Sequence, residues 1–418
     1  MPRRHSCRRL VCPFCEFWKI GRFLPPPGSF ASLERSRVPI STWDRFSSCI
    51  RHSTLDLCGS CAEFWKSFDF STFYTGAKLA HTPALYNHEI VRQTVRSGWP
   101  DSPEQEVYLR APFYAVLLSP LRAFPYRTAL FIFTCLTMGS FLWFVIQFSR
   151  ECRDLAILAA FSIPMFLNIN GGADVPLLLP FLGAFVLLSR RGRDFAAGFI
   201  LAFCAIKFHL FVFVPILLLF RKKWRMLLGA SAGTAVLTLV GGISLIGPWL
   251  NVMFSPLITG MPVWKLCPAP NIHGLVTVLG LSPKIEFLLA GLVILFFVWL
   301  CLRVNNFELL LAVSLICGLL VSFHNFAYDD LLLMPVLVLV SPIRILRNLA
   351  GLALTPVVYL ATFAGGFYSA ILPLMLLAFL GAVWFVHKGR YIETGPVGQD
   401  IASSQGRAGF LNIGSATA

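Results

Sequence analysis

The chain has 418 residues, 56% of them hydrophobic and only 13% charged, and a mean hydropathy of +0.72. That composition lies outside the range of a soluble globular domain. The formal charge of +15 does not point to nucleic acid, because the basic residues stand in short clusters between apolar runs and no soluble basic domain carries them.

Residues 1–66 are rich in Arg, Ser, Pro and Cys and hold no apolar run long enough to span a bilayer or to serve as a signal peptide. The expectation is a basic, disordered N-terminal segment, with a mis-assigned start as the alternative. Cys12-x-x-Cys15 and Cys58-x-x-Cys61 superficially suggest zinc. The two pairs are far apart and no hairpin-like pattern flanks either, so no metal site is assigned. Cys135, Cys152, Cys204, Cys301 and Cys317 lie in or beside apolar runs and read as small core residues.

From Asp69 the pattern changes. Phe70, Phe73, Tyr74, Ala77 and Ala80 recur at helical spacing with polar residues between them, which predicts a short helix lying in the membrane interface. Tyr86 to Gln105 is polar and turn-rich and reads as an exposed loop. Ala111 to Phe124 is apolar but short and broken by Pro112 and Pro120, which suggests a re-entrant or interfacial segment.

Membrane spans are predicted at Thr128–Phe148, Leu155–Asn168, Ala173–Leu188, Phe195–Ile206, Leu210–Phe220 and Met226–Ile246. After a long loop come Ile285–Leu302, Leu309–Val321, Leu331–Val340, Leu349–Phe367 and Ile371–Val386. Continuous rather than alternating apolar runs select helices over a barrel. The clusters at Arg150/Arg153, Arg190–Arg193, Arg221–Arg225, Arg303, Arg344/Arg347 and Lys388/Arg390 can all lie on the cytoplasmic side. This requires Phe195–Phe220 to be two crossings bent around Lys207-Phe208-His209, since a single crossing puts Arg221–Arg225 on the wrong face. The opposite face then collects Asp69, Asp174, Lys207, His209, Asn271, His273, His324, Tyr328 and Asp329. Ionisable groups at membrane depth are costly and tend to mark sites.

Each of these residues also has a plainer reading. Asp69 could be a helix N-cap, and Asp174 a tight-turn residue after two glycines. Lys207 interrupts an apolar run, which favours binding a phosphate or a carboxylate. The sequence has no phosphate-binding glycine loop, no His-Glu-x-x-His and no serine elbow. Nor has it an intracellular domain for a nucleotide sugar.

From about Ser67 to Val340 the chain resembles the polyprenyl-phosphate-mannose-dependent alpha-1,2-mannosyltransferase family, glycosyltransferase family 87. The resemblance is carried by Asp69-Phe70 with Phe73-Tyr74, Tyr108 with Pro112, and Gly171-Gly172-Ala173-Asp174. Further downstream it is carried by Gly198 with Lys207-Phe208, the Arg221–Arg225 cluster, Ser322-Phe323-His324 and Tyr328-Asp329. In this chain Phe follows Lys207 and precedes His324, where the family has proline. The family also has a transmembrane helix just before the Asp-Phe pair, for which residues 1–66 offer no counterpart.

The resemblance implies an all-α, polytopic, GT-C-like helical bundle of about 10–12 spans, with an external loop bearing an amphipathic helix. A glycosyltransferase-like domain at 67–390 would be followed by a disordered cytoplasmic tail at 391–418. It implies a plasma-membrane hexosyltransferase that moves a hexose, mannose in the first instance, from a polyprenyl-phosphate donor to a glycolipid or glycan acceptor on the non-cytoplasmic side, with inversion. Asp69 would be the base, Lys207 and His324 would bind the donor phosphate, and Tyr74, Asp174, His209, Asn271, His273, Tyr328 and Asp329 would contact substrate. No cofactor is assigned and a divalent metal is left open; a lipid-linked sugar flippase or a non-catalytic membrane protein is the alternative.

Overall fold

Long apolar runs with no period-two alternation must satisfy their backbone groups within each segment, so helices are the expected outcome. The computed structural model describes residues 68–98, 107–255, 269–322 and 325–388, and every regular element among them is helical. The terminal segments 1–66 and 391–418, the two cysteine pairs and His324 lie outside the described residues.

Helix α1 (Phe68–Leu79) carries Asp69 in its first turn, where a carboxylate complements the helix dipole. The apolar face of Phe70, Phe73, Tyr74 and Ala77 is buried, in agreement with the spacing. Ser71 and Thr75 on the other side are buried as well. From Asp69 to Leu79 the helix is therefore wrapped by protein rather than lying with one wet face, and Lys78 alone of these residues is exposed. A short turn leads to α2 (His88–Gly98). Then α3 (Pro112–Leu118) and the tight helical segment Ser119–Ala123 form the predicted non-spanning apolar unit. Seven residues of helix reach only about 10 Å.

Among the described residues four helical stretches are long and apolar enough to cross a membrane: α4 (Tyr126–Phe148), α10 (Trp224–Gly241), α13 (Pro283–Arg303) and Gly366–His387, which includes α18 (Ile371–His387). Two bent pairs raise the number to six, each with a 47° break: α5 (Arg153–Ala160) with α6 (Ile163–Gly171), and α16 (Arg344–Ala353) with α17 (Pro356–Phe363). The remaining predicted spans are shorter apolar helices: α7 (Leu178–Arg190), α8 (Asp194–Leu201), α9 (Phe213–Phe220), α14 (Phe307–Val321) and α15 (Leu333–Leu339). Two further short helices, α11 (Ile246–Met253) and α12 (Ile272–Val278), flank the loop after α10.

Asn306 caps α14 by accepting from the Leu309 amide at 3.0 Å, and the helix is buried without interruption from Leu309 to Leu320. It is apolar on every side because it is the centre of the bundle. Helices α8 and α10 meet through glycines. A Cβ on Gly198 would lie 1.9 Å from the Met226 carbonyl, and one on Gly229 would lie 2.0 Å from that of Phe195. Backbones approach this closely only where side chains are absent.

The predicted bend at Lys207 is present. The tight helical segment Ala202–Leu210 breaks at Lys207, with φ −124° and ψ 58°. Phe208, standing where the family has proline, packs edge-on against Trp249 at 5.5 Å. The break therefore forms without proline. On either side of it the chain turns back, so the Arg193 and Arg221 ends come to the same end of the bundle. There Arg190 binds Glu151 at 2.6 Å and Glu308 at 2.8 Å, and Lys223 lies 3.6 Å from Asp194. Arg347 approaches Asp154 at 3.7 Å. Partly exposed pairs of this kind contribute only about 0–1 kcal/mol each, but they mark where the basic turns gather. The 13 residues of α7 carry the chain about 20 Å away from that end, to Asp174.

Candidate active site

Five separate turns or helix starts meet at the Asp174 end, and each delivers a polar side chain. Gly172 ends α6 in the left-handed region, with φ +64°, and a Cβ there would come within 2.6 Å of the Phe70 Cβ. Glycine thus serves twice: it makes the turn that presents Asp174, and it lets the start of α1 close on that turn. Asp69 is brought to the site by this contact.

Asp174 is fully buried. The Arg110 guanidinium grips it with two hydrogen bonds, Nε to Oδ2 at 2.7 Å and Nη2 to Oδ1 at 3.0 Å. This is the parallel fork geometry that makes arginine–carboxylate pairs strong and directional. Lys207, also buried, lies 3.5 Å from Asp174 Oδ1 and forms a close ion pair with Asp329. Asp329 in turn accepts from the Phe326 amide at 2.9 Å. The Lys207 ammonium sits 4.6 Å from the centre of the Tyr328 ring, and the Tyr328 hydroxyl is paired with Asp69. Asn168 fixes the turn from below, donating to the Tyr328 and Pro164 carbonyls at 2.9 and 2.8 Å.

The cluster holds three carboxylates (Asp69, Asp174, Asp329) against two cations (Arg110, Lys207). One negative charge is in excess when all are ionised, and burial pushes both Asp69 and Asp329 up; Asp329 keeps Lys207 and the Phe326 amide as partners for its two oxygens. Burial is the main cause at Asp69, with Asp174 adding to the rise, and the opposing pull of Lys207 and Arg110 is too weak to cancel it. Burial acts on Asp174 too, but Arg110 and Lys207 outweigh it and hold that carboxyl low. Asp69 Oδ2 is buried and has no hydrogen-bond partner among the described residues. A carboxylate with a raised pKa and a free oxygen is the usual equipment of a general base.

The predicted site residues divide into two groups. Asp69, Asp174, Lys207, Tyr328 and Asp329 come together. Tyr74 turns away: its hydroxyl donates to the Phe124 carbonyl at 2.7 Å and its ring meets Tyr126 edge-on. Asn271 caps α12 through the Gly274 amide and donates to the Ser322 carbonyl at 2.6 Å. It braces the strand of chain leading to the Tyr328 turn. His273 lies 2.9 Å from Glu286. His209 is half-buried beside Phe208, with its ring edge-on to that residue. Arg110 was not among the expected residues, although a cation on the face opposite the basic clusters was a signal in the sequence. Among the described residues, no group of three or more His, Cys, Asp and Glu could hold a metal ion.

An all-helical bundle with several helices long and apolar enough to cross a membrane defines a multi-pass membrane protein. The family model for glycosyltransferase family 87 matches residues 108–324, just over half of the chain, and the protein belongs to that family. It is accordingly a membrane glycosyltransferase, acting on a sugar donor and an acceptor. The matched region contains Arg110, Asp174 and Lys207; Asp69 precedes it and Tyr328 follows closely. No curated protein and no solved structure matches the chain.

Proposed function

We propose that this glycosyltransferase moves a hexose, mannose in the first instance, from a polyprenyl-phosphate donor to a glycolipid or glycan acceptor, with inversion, on the non-cytoplasmic side of the plasma membrane. The observation that carries the reading is the Asp69 carboxylate, buried on one oxygen and flanked by Arg110, Lys207 and Tyr328. In a single displacement Asp69 takes the proton from the acceptor hydroxyl as that oxygen bonds to the anomeric carbon. The bond from the anomeric carbon to the phosphate oxygen breaks, and its electron pair leaves with the polyprenyl phosphate. Both cations of the cluster already have carboxylate partners, so the donor phosphate exchanges for a carboxylate at Lys207 rather than meeting a vacant charge. His324 is proposed as the second phosphate contact, and Asp174 and Tyr328 as groups that orient substrate. The grouping of the basic turns at the other end of the bundle, away from Asp174, supports the outward-facing assignment.

Purified protein in proteoliposomes, given polyprenyl-phosphate mannose labelled in the sugar and a membrane lipid extract as acceptor, should yield label in a new glycosidic bond. Movement of intact donor across the bilayer without bond formation would replace this reading with a flippase.

A further inference from the structure

Two tyrosines beside the cluster have buried hydroxyls without a hydrogen-bond partner among the described residues. Tyr114 is 1% exposed, its ring lies edge-on to Phe73 at 5.4 Å, and its hydroxyl has no hydrogen-bond partner. Tyr108 is also 1% exposed, with its ring pressed on Gly76, where a Cβ would come within 2.2 Å of it. Its hydroxyl is likewise without a partner. Both lie within electrostatic range of Arg110 and Asp174, and Tyr114 of Asp69 too. Two other tyrosines nearby do find partners: Tyr74 donates to the Phe124 carbonyl and Tyr86 to that of Arg110.

A buried hydroxyl left unpaired costs about 1–3 kcal/mol. Two such hydroxyls stand with Asp69 Oδ2 around one charged cluster, and a ligand seated there would supply their partners. Its chemistry can be narrowed. At the tyrosine hydroxyls an anion beyond the donor phosphate proposed at Lys207 is disfavoured beside three carboxylates and two cations, and an apolar chain would leave the hydroxyls unpaired. A neutral polyol fits, because a phenol both donates and accepts and a sugar hydroxyl does the same.

We propose that Tyr108 and Tyr114 form the wall of a hexose-binding subsite, their hydroxyls bonding to sugar hydroxyls next to Asp69. The identity of that hexose as the one carried by the lipid donor rests on the transferase reading above; the polyol chemistry does not.

The test is binding to the full chain in nanodiscs, measured with polyprenyl-phosphate mannose and with sugar-free polyprenyl phosphate. The wild type should prefer the sugar-bearing lipid. Tyr108→Phe and Tyr114→Phe keep the rings and should each weaken its binding by roughly tenfold, leave the sugar-free lipid unchanged, and keep or raise the thermal midpoint. Equal losses for both lipids, no loss for either, no wild-type preference for the sugar, or a fallen midpoint would each overturn the proposal. Discrimination without glycosyl transfer would sink the transferase mechanism and leave the subsite standing. Transfer that is indifferent to both substitutions would do the reverse.

Discussion

Asp69→Asn should lower glycosyl transfer by roughly 10²–10⁴-fold, the range that a positioned general base contributes, without lowering the thermal midpoint. The two halves of this expectation have one cause. Burial disfavours the ionised form of Asp69, so folding gains nothing from its charge, and asparagine removes the charge while keeping the shape. The acceptor proton then has no carboxylate to receive it. Asp69 is held where it is by the approach of Phe70 to Gly172 and by Tyr328, and neither contact needs the ionised carboxylate. A residue that costs stability and supplies rate is the pattern expected of a reacting group.

Lys207→Met should be the most destabilising single change in the cluster, by about 3–5 kcal/mol, as for other buried pairs deprived of one partner. Methionine fills nearly the same space, so packing is not the reason. Asp329 would lose its ion pair and Asp174 the nearer of its supporting charges beyond Arg110. Both carboxylates are fully buried, and water cannot take the place of the ammonium without opening the turn. The measurement is thermal unfolding in detergent or nanodiscs. The companion variant, Lys207→Met with Asp329→Asn, should recover a good part of the loss, because the orphaned charge is removed along with its partner.

Much of the site was legible in the sequence. Asp69, Asp174, Lys207, Tyr328 and Asp329 each interrupt or border an apolar run, and a charge in that setting is costly enough to need a partner. They turn out to be partners of one another. Other assignments failed to converge for reasons that spacing alone could have warned of. Tyr74 is five residues from Asp69, and at 100° per residue that places it well round the helix from the carboxylate, towards Phe124 and Tyr126. Asn271 and His273 have local duties at a helix start, which is common for such residues beside a turn.

What the sequence did not single out was Arg110 and Tyr114, and Tyr108 stood out only as part of the family resemblance. Arg110 and Tyr108 lie just before the broken apolar segment and Tyr114 within it, and a buried tyrosine cannot be told from core until its hydroxyl is seen to lack a partner. The fold class was plain from the uninterrupted apolar runs. The division into short, bent and 3₁₀-linked helices was not, because it depends on tertiary contacts such as the glycine faces of α8 and α10.

The most direct test of Asp69 as the reacting base is the pH dependence of single-turnover transfer by the wild type and by Asp69→Asn in the same proteoliposomes. A base must be ionised to act, and the Asp69 carboxyl titrates above the ordinary carboxylate value. The wild-type rate should therefore fall as pH drops through that raised value, approaching tenfold per unit below it. The residual rate of Asp69→Asn should show no such acid limb. An acid limb of the same position and depth in both proteins, or full activity in the variant, would contradict the assignment.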